Sequence, residues 1–172
     1  MTCIAGIMKD GKVYIAGDRG ASEGNYTVPI DRPKIWKNGK YIFGFAGTFD
    51  GQIIQYNFNP PEPEGNLDKF MHTKFLKSLK TFYNEWDIGG KDSEVSLLIG
   101  IKGKLYEHEA EGLTMISYDK DYIVIGSGAD YAMGSLHATR NHKDPKRRLA
   151  LALDAACELS TSCIGPVDFL HS

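Results

Sequence analysis

The sequence predicts an α+β fold in which two antiparallel sheets carry helices on their outer faces. Three observations lead there. Strand-like and helix-like stretches are segregated along the chain: strands, then two helices, then strands, then two helices. The strand-like stretches come in pairs around tight turns. The helical stretches carry apolar residues at the three-to-four spacing of a one-sided helix.

Taken in order, Cys3-Ile4-Ala5-Gly6-Ile7 and Lys12-Val13-Tyr14-Ile15-Ala16-Gly17 flank Asp10-Gly11. That dipeptide tolerates the two positive-φ positions of a type I′ turn, so a hairpin is expected. Lys34-Ile35-Trp36 and Tyr41-Ile42-Phe43-Gly44-Phe45 flank Asn38-Gly39 and read as a second hairpin. Residues 20–32 between them are polar and read as a loop. From 49 to 57, Phe49, Ile53 and Ile54 keep helical spacing. Residues 59–66, with three prolines, cannot continue a helix. From Leu67 to Trp86 an amphipathic helix follows, with Asn66 as its cap, and its aromatic residues read as core. Residues 94–101 and 104–108 flank Lys102-Gly103 as a third hairpin, and Tyr122–Ile125 is a short apolar strand. Residues 129–140 are rich in helix formers, and Pro145 opens a last helix running to about Leu159. Neither an internal repeat nor a low-complexity linker breaks the 172 residues, so a single domain over 1–172 is expected.

Composition narrows the classes of function. The chain is 42% hydrophobic and its net charge is -2. That balance gives no general attraction to nucleic acid or an anionic membrane. The basic run Lys143, Lys146, Arg147 and Arg148 sits at the expected start of a helix and reads as a solvated helix end. No apolar stretch approaches the roughly 18 residues a membrane span needs. The three cysteines, Cys3, Cys157 and Cys163, fit neither a disulfide framework nor a zinc pattern, which points to the reducing cytoplasm. The N-terminus shows no basic region followed by an apolar run, so the mature start is expected close to the encoded one. Gly126-Ser127-Gly128 lacks the Lys-Ser/Thr ending of a phosphate loop, and Tyr131 stands where a dinucleotide fingerprint needs its third glycine. The five histidines are scattered, form no ligand pair and suggest no metal; His137 and His142 read as surface residues.

The chemically informative residue is Thr2. A hydroxyl is a weak nucleophile unless a base is held beside it. A threonine at a free N-terminus carries its own base, because its α-amine titrates near 7.7–8.0 and is substantially neutral at physiological pH. Removal of Met1 before so small a residue would create that group. A Met-Thr start is common, however, and carries no weight by itself.

The surrounding residues supply it. The opening Thr2-Cys3-Ile4-Ala5-Gly6-Ile7, continued by Asp10 to Asp18, resembles the start of N-terminal nucleophile hydrolases of the proteasome beta-subunit kind, and still more the bacterial HslV peptidase family. The resemblance extends to Asp31-Arg32-Pro33-Lys34-Ile35-Trp36, to Gly44-Phe45-Ala46-Gly47-Thr48-Phe49-Asp50, and to Ile125-Gly126-Ser127-Gly128-Ala129-Asp130. It implies a four-layer αββα sandwich and a threonine-type endopeptidase working through an acyl-enzyme on Thr2.

By the same resemblance, Asp18 would hold the ammonium of Lys34, and Lys34 would keep the Thr2 amine neutral by like-charge repulsion. Gly47 would offer its N–H to the oxyanion, and Ser127 would hydrogen-bond the terminal amine. Ala21, Ser22, Phe45 and Phe49 would border the substrate in an apolar pocket. No cofactor is required, although relatives hold a monovalent cation on backbone carbonyls, here near Cys157, Ser160 and Cys163. A polypeptide substrate, a homo-oligomeric ring, an ATP-driven unfoldase and a cytoplasmic setting are implied as well. The chain departs from the family at Glu158, which stands where relatives carry Asp. Two other readings stay open: a non-catalytic subunit of the same fold that keeps Met1, and an amidase acting on a small amide, for which Cys3 is a neighbouring nucleophile.

Overall fold

The computed structural model describes residues 2–23, 25–90 and 93–172. Met1, on which the expected processing turns, lies outside the described residues.

The chain forms two larger sheets lying face to face. The first has strand order β10-β1-β2-β11, built from β10 (Tyr122–Ile125), β1 (Ile4–Lys9), β2 (Lys12–Gly17) and β11 (Asp168–His171). The second runs β5-β6-β7-β8-β9, from β5 (Ile35–Asn38), β6 (Tyr41–Gly47), β7 (Val95–Ile101), β8 (Lys104–Glu109) and β9 (Thr114–Ile116). Every pairing in both is antiparallel.

Alternation along the strands explains the layering. On β6, Ile42 and Ala46 face the first sheet and join Ile4, Val13, Ile15, Leu98 and Leu105 in the middle of the sandwich. The intervening Tyr41, Phe43 and Phe45 face the other way, onto α1 (Asp50–Asn57) and the long helical segment 67–86. On β1, Cys3 just ahead of the strand and Ala5 and Ile7 within it turn outward against α4 (Ala129–Ala138) and α5 (Pro145–Leu159). The central strands of both sheets are therefore buried on both faces, and the order of layers is helix, sheet, sheet, helix. This is the expected αββα sandwich.

The turns follow the sequence closely. Asp10 and Gly11 both have positive φ, as do Lys102 and Gly103, which is the type I′ pattern at two hairpin tips. The second hairpin turns at Gly39-Lys40 instead of Asn38-Gly39, because Asn38 still pairs with Tyr41. Only Gly39 then needs positive φ. Asn66 caps the helical segment by accepting from the Lys69 N–H at 2.9 Å. That segment is interrupted: α2 (Leu67–Phe70) passes through a π-helical turn at Met71–Phe75 into α3 (Leu76–Trp86).

Three findings correct the sequence reading. The polar stretch 20–32 holds a two-stranded hairpin, β3 (Gly20–Glu23) with β4 (Tyr26–Pro29), rather than a plain loop. Strands β9 and β11 are too short to show periodicity and were not expected. In the basic run, Arg148 is buried and paired with Asp121 at 2.6 Å, so only its neighbours form a solvated helix end. His137 and His142 are exposed, as expected.

Candidate active site

Thr2 lies two residues ahead of β1, and the β1–β2 register (Ile4 opposite Gly17) places it beside Asp18, the residue that follows β2. Backbone bonds pin both segments. The Asp18 N–H reaches the Cys3 carbonyl at 3.2 Å, and the Gly128 N–H reaches the Thr2 carbonyl at 3.1 Å. The Thr2 nitrogen is an amide while Met1 is attached and becomes the α-amine once it leaves. It sits 3.1 Å from Ser127 Oγ.

Lys34 comes from the second sheet. Its carbonyl accepts from the Phe45 N–H at the start of the β5–β6 hairpin, which anchors its backbone. Its side chain is 1% exposed, and among the described residues its Nζ meets Thr2 Oγ1 at 2.5 Å, Gly20 O at 2.5 Å and Asp18 Oδ1 at 3.3 Å. Hydroxyl, carbonyl and carboxylate oxygens all accept from an ammonium. Asp18 is wholly buried, and besides Lys34 it accepts the Cys3 N–H at 2.9 Å and the Gly20 N–H at 2.7 Å. Burial pulls the Lys34 proton affinity below its ordinary value, while the charge and hydrogen bond of Asp18 work in the opposite direction. A cation positioned on a threonine oxygen in a buried site is the arrangement that stabilises a developing alkoxide.

Gly47 closes β6 with φ +96°. A Cβ there would fall 1.6 Å from the Glu94 carbonyl oxygen, so no side chain fits. A cavity of about 260 Å³ opens against Thr2 and Lys34, and Gly47, Ala21, Ser22, Phe45 and Phe49 all line it. Phe45 is buried and Phe49 half exposed, so they form the inner wall and the rim. The Ser22 hydroxyl is 2.9 Å from that of Thr27 across the β3–β4 hairpin, which fixes this wall.

The structure thus brings Thr2, Asp18, Lys34, Gly47 and Ser127 into one place. Glu158 is exposed near the end of α5. From the C-terminal part of the chain, Asp168 pairs with Arg19, the residue after Asp18. Sequence reasoning missed both residues, because no periodicity or motif marks a contact across 149 positions. Burial pushes the Cys3 thiol well up, which keeps it protonated and disfavours it as a nucleophile. Near the end of α5, the Ser160 carbonyl already accepts from the Cys163 N–H. The described residues contain no cluster of metal-binding side chains.

No protein-family model matches the chain. It is 29% identical over 147 residues to the ATP-dependent protease subunit HslV of Petrotoga mobilis, covering 83% of this chain and 80% of that one. It is 29% identical to the HslV subunit of Treponema denticola, covering 78% and 74%. Among solved structures it superposes on Thiobacillus denitrificans BPH in complex with epoxomicin (TM-score 0.79, 20% identity, 99% of this chain and 98% of that one). It superposes as well on eukaryotic HslV from Trypanosoma brucei (TM-score 0.75, 19% identity, 99% and 98%). The chain is thus similar in sequence to HslV subunits along most of its length, and it shares the fold of the solved HslV and BPH structures throughout.

Proposed function

We propose that the chain is a threonine-type endopeptidase that becomes active when Met1 is removed. One observation carries the reading: a buried lysine ammonium 2.5 Å from the Thr2 hydroxyl, on the floor of a cavity open to a ligand. Thr2 Oγ1 attacks the scissile carbonyl, and the freed α-amine, oriented by Ser127, takes its proton. Lys34 stabilises the oxygen as charge develops and, by like-charge repulsion, keeps the amine neutral. The Gly47 N–H receives the oxyanion. The C–N bond then breaks, the proton passes to the leaving amine, and an ester to Thr2 remains. Water, deprotonated by the same amine, releases the acyl group.

Ala21, Phe45 and Phe49 give the cavity an apolar wall, and the Lys34 ammonium is engaged by Thr2, Asp18 and Gly20. An apolar residue before the scissile bond is therefore the expected preference. The chemistry uses no cofactor, and no step passes through a cation at the end of α5. A homo-oligomeric ring served by an ATP-driven unfoldase in the cytoplasm is part of the proposal. It is supported by relatives that are ATP-dependent protease subunits. In agreement with that setting, no described helix is long and apolar enough to cross a membrane.

The test is turnover of fluorogenic peptides by the wild type and by Thr2→Ala. Hydrolysis should rise as pH passes roughly 7 to 8, where an α-amine loses its proton, and should vanish in the variant. Full peptidase activity in Thr2→Ala would end the proposal.

A further inference from the structure

Two of the oxygens around Lys34 Nζ belong to the short turn 18–20, Asp18 Oδ1 and Gly20 O. The residue between them, Arg19, does not line the cavity, yet its polar groups are tied to three other segments. Its N–H donates to the Ile164 carbonyl at 3.2 Å and its carbonyl accepts from the Ile30 N–H at 2.8 Å. Its Nη1 donates to the Asp31 carbonyl at 2.7 Å. Its Nε and Nη2 donate to the two oxygens of Asp168, at 2.6 and 2.7 Å. Asp168 is itself fixed, because it opens β11 opposite Gly17, the residue before Asp18.

An exposed ion pair between long side chains is worth little, because both partners keep their freedom and water screens the charge. This pair differs in geometry. The two side chains are 23% and 21% exposed, and a bidentate fork fixes direction as well as distance. It ties the 18–20 turn to the C-terminal strand on one side and to the segment leading into Lys34 on the other. A shift of the turn would move two acceptors of the ammonium together.

Building on the threonine-peptidase reading above, we infer that Arg19 and Asp168 form a clamp that positions the Asp18–Gly20 turn around Lys34, making both of them positioning residues of the peptidase site. The clamp touches neither substrate nor the reacting atoms. It acts by holding Asp18 and Gly20 O where Lys34 can remain on Thr2 Oγ1.

The experiment compares Asp168→Asn, Arg19→Lys and the swapped pair Arg19→Asp/Asp168→Arg with the wild type. Peptide kinetics are read alongside the titration of the Lys34 side chain by NMR with 13C-labelled lysine, and thermal melting reports folding. Asp168→Asn should lower kcat about tenfold or more, the scale expected when a reacting group is displaced by a fraction of an ångström. KM should stay within about twofold, and the Lys34 midpoint should fall by about half a unit or more as its acceptors loosen. Arg19→Lys keeps the charge and loses the fork, and should show the same pattern in milder form with melting near wild type. The swapped pair should recover most of the kcat. A kcat within twofold of wild type together with an unmoved Lys34 midpoint in a folded Asp168→Asn or Arg19→Lys protein overturns the clamp. So does a kcat lost only in step with melting and not recovered by the swap. The titration needs no turnover. If the wild type hydrolyses no peptide, the peptidase reading fails, and the Lys34 midpoint still shows whether the clamp holds.

Discussion

Replacing Lys34 by Met tests the organisation of the site through its energetics. Met preserves the length and apolar stem of the side chain but removes the ammonium. In the wild type Lys34 and Asp18 are 1% and 0% exposed and 3.3 Å apart. Taking one partner from a buried ion pair costs about 3–5 kcal/mol, because an uncompensated charge is left in a poorly polarisable interior. Asp18 would keep two backbone donors, the N–H groups of Cys3 and Gly20. The expected loss is therefore at the low end, about 3 kcal/mol. The double variant Lys34→Met/Asp18→Asn removes the stranded charge and should recover at least half of that, since a neutral replacement of a buried pair is often tolerated. Denaturant unfolding followed by tryptophan fluorescence provides the assay. Trp36, stacked on Phe43 with ring centroids 5.1 Å apart, reports directly on the second sheet. Peptide turnover should fall about a thousandfold in both variants, the upper end of the range usual for loss of a group that stabilises developing charge. A Lys34→Met protein within 1 kcal/mol of wild type, or a double variant as unstable as the single, would refute the reasoning.

Other outcomes follow from the same geometry. A Cβ at Gly51 would come within 2.2 Å of the Phe45 ring, so Gly51→Ala should displace that ring and change the preferred residue before the scissile bond, read as altered KM across a peptide panel with the Thr2 adduct still forming. Ser127→Ala removes the acceptor from the Thr2 nitrogen and should lower kcat about tenfold, the scale of one hydrogen bond, with unfolding unchanged. His108 is buried with Nε2 2.9 Å from the Tyr83 hydroxyl, and burial lowers its pKa to about 4. An unfolded histidine titrates near 6.5, so below that pH the unfolded chain takes up a proton that the folded chain refuses. Stability should therefore be intact above pH 6.5 and fall by about 3 kcal/mol on the way to pH 4, a dependence that His108→Phe should abolish.

Much of this molecule was legible in the sequence because its signals are local. Asp10-Gly11 and Lys102-Gly103 set hairpin tips through positive φ, and Asn66 and Pro145 mark helix starts by hydrogen bonding and ring geometry. Thr2, Asp18, Lys34, Gly47 and Ser127 were found through likeness to a family, since a buried lysine and an exposed one look identical in a string of letters. The β3–β4 hairpin escaped because its four-residue strands carry mostly small, polar or exposed residues and so show no apolar alternation. The π-helical turn at Met71–Phe75 escaped because one extra residue per turn scarcely alters the apolar pattern of a long helix. Arg148 read as a surface charge, and Arg19 and Asp168 drew no notice, because their partners lie 27 and 149 residues away. Long-range pairing of charges has no local signature.

We propose Thr2, freed of Met1, as the nucleophile. Intact-mass measurement of the purified protein before and after treatment with a peptide epoxyketone tests it most directly. The expected result is a chain lighter by one methionine residue that gains one inhibitor molecule, mapped to the N-terminal threonine and absent in Thr2→Ala. A folded protein that keeps Met1, or a processed one whose Thr2 takes up no inhibitor, would contradict it.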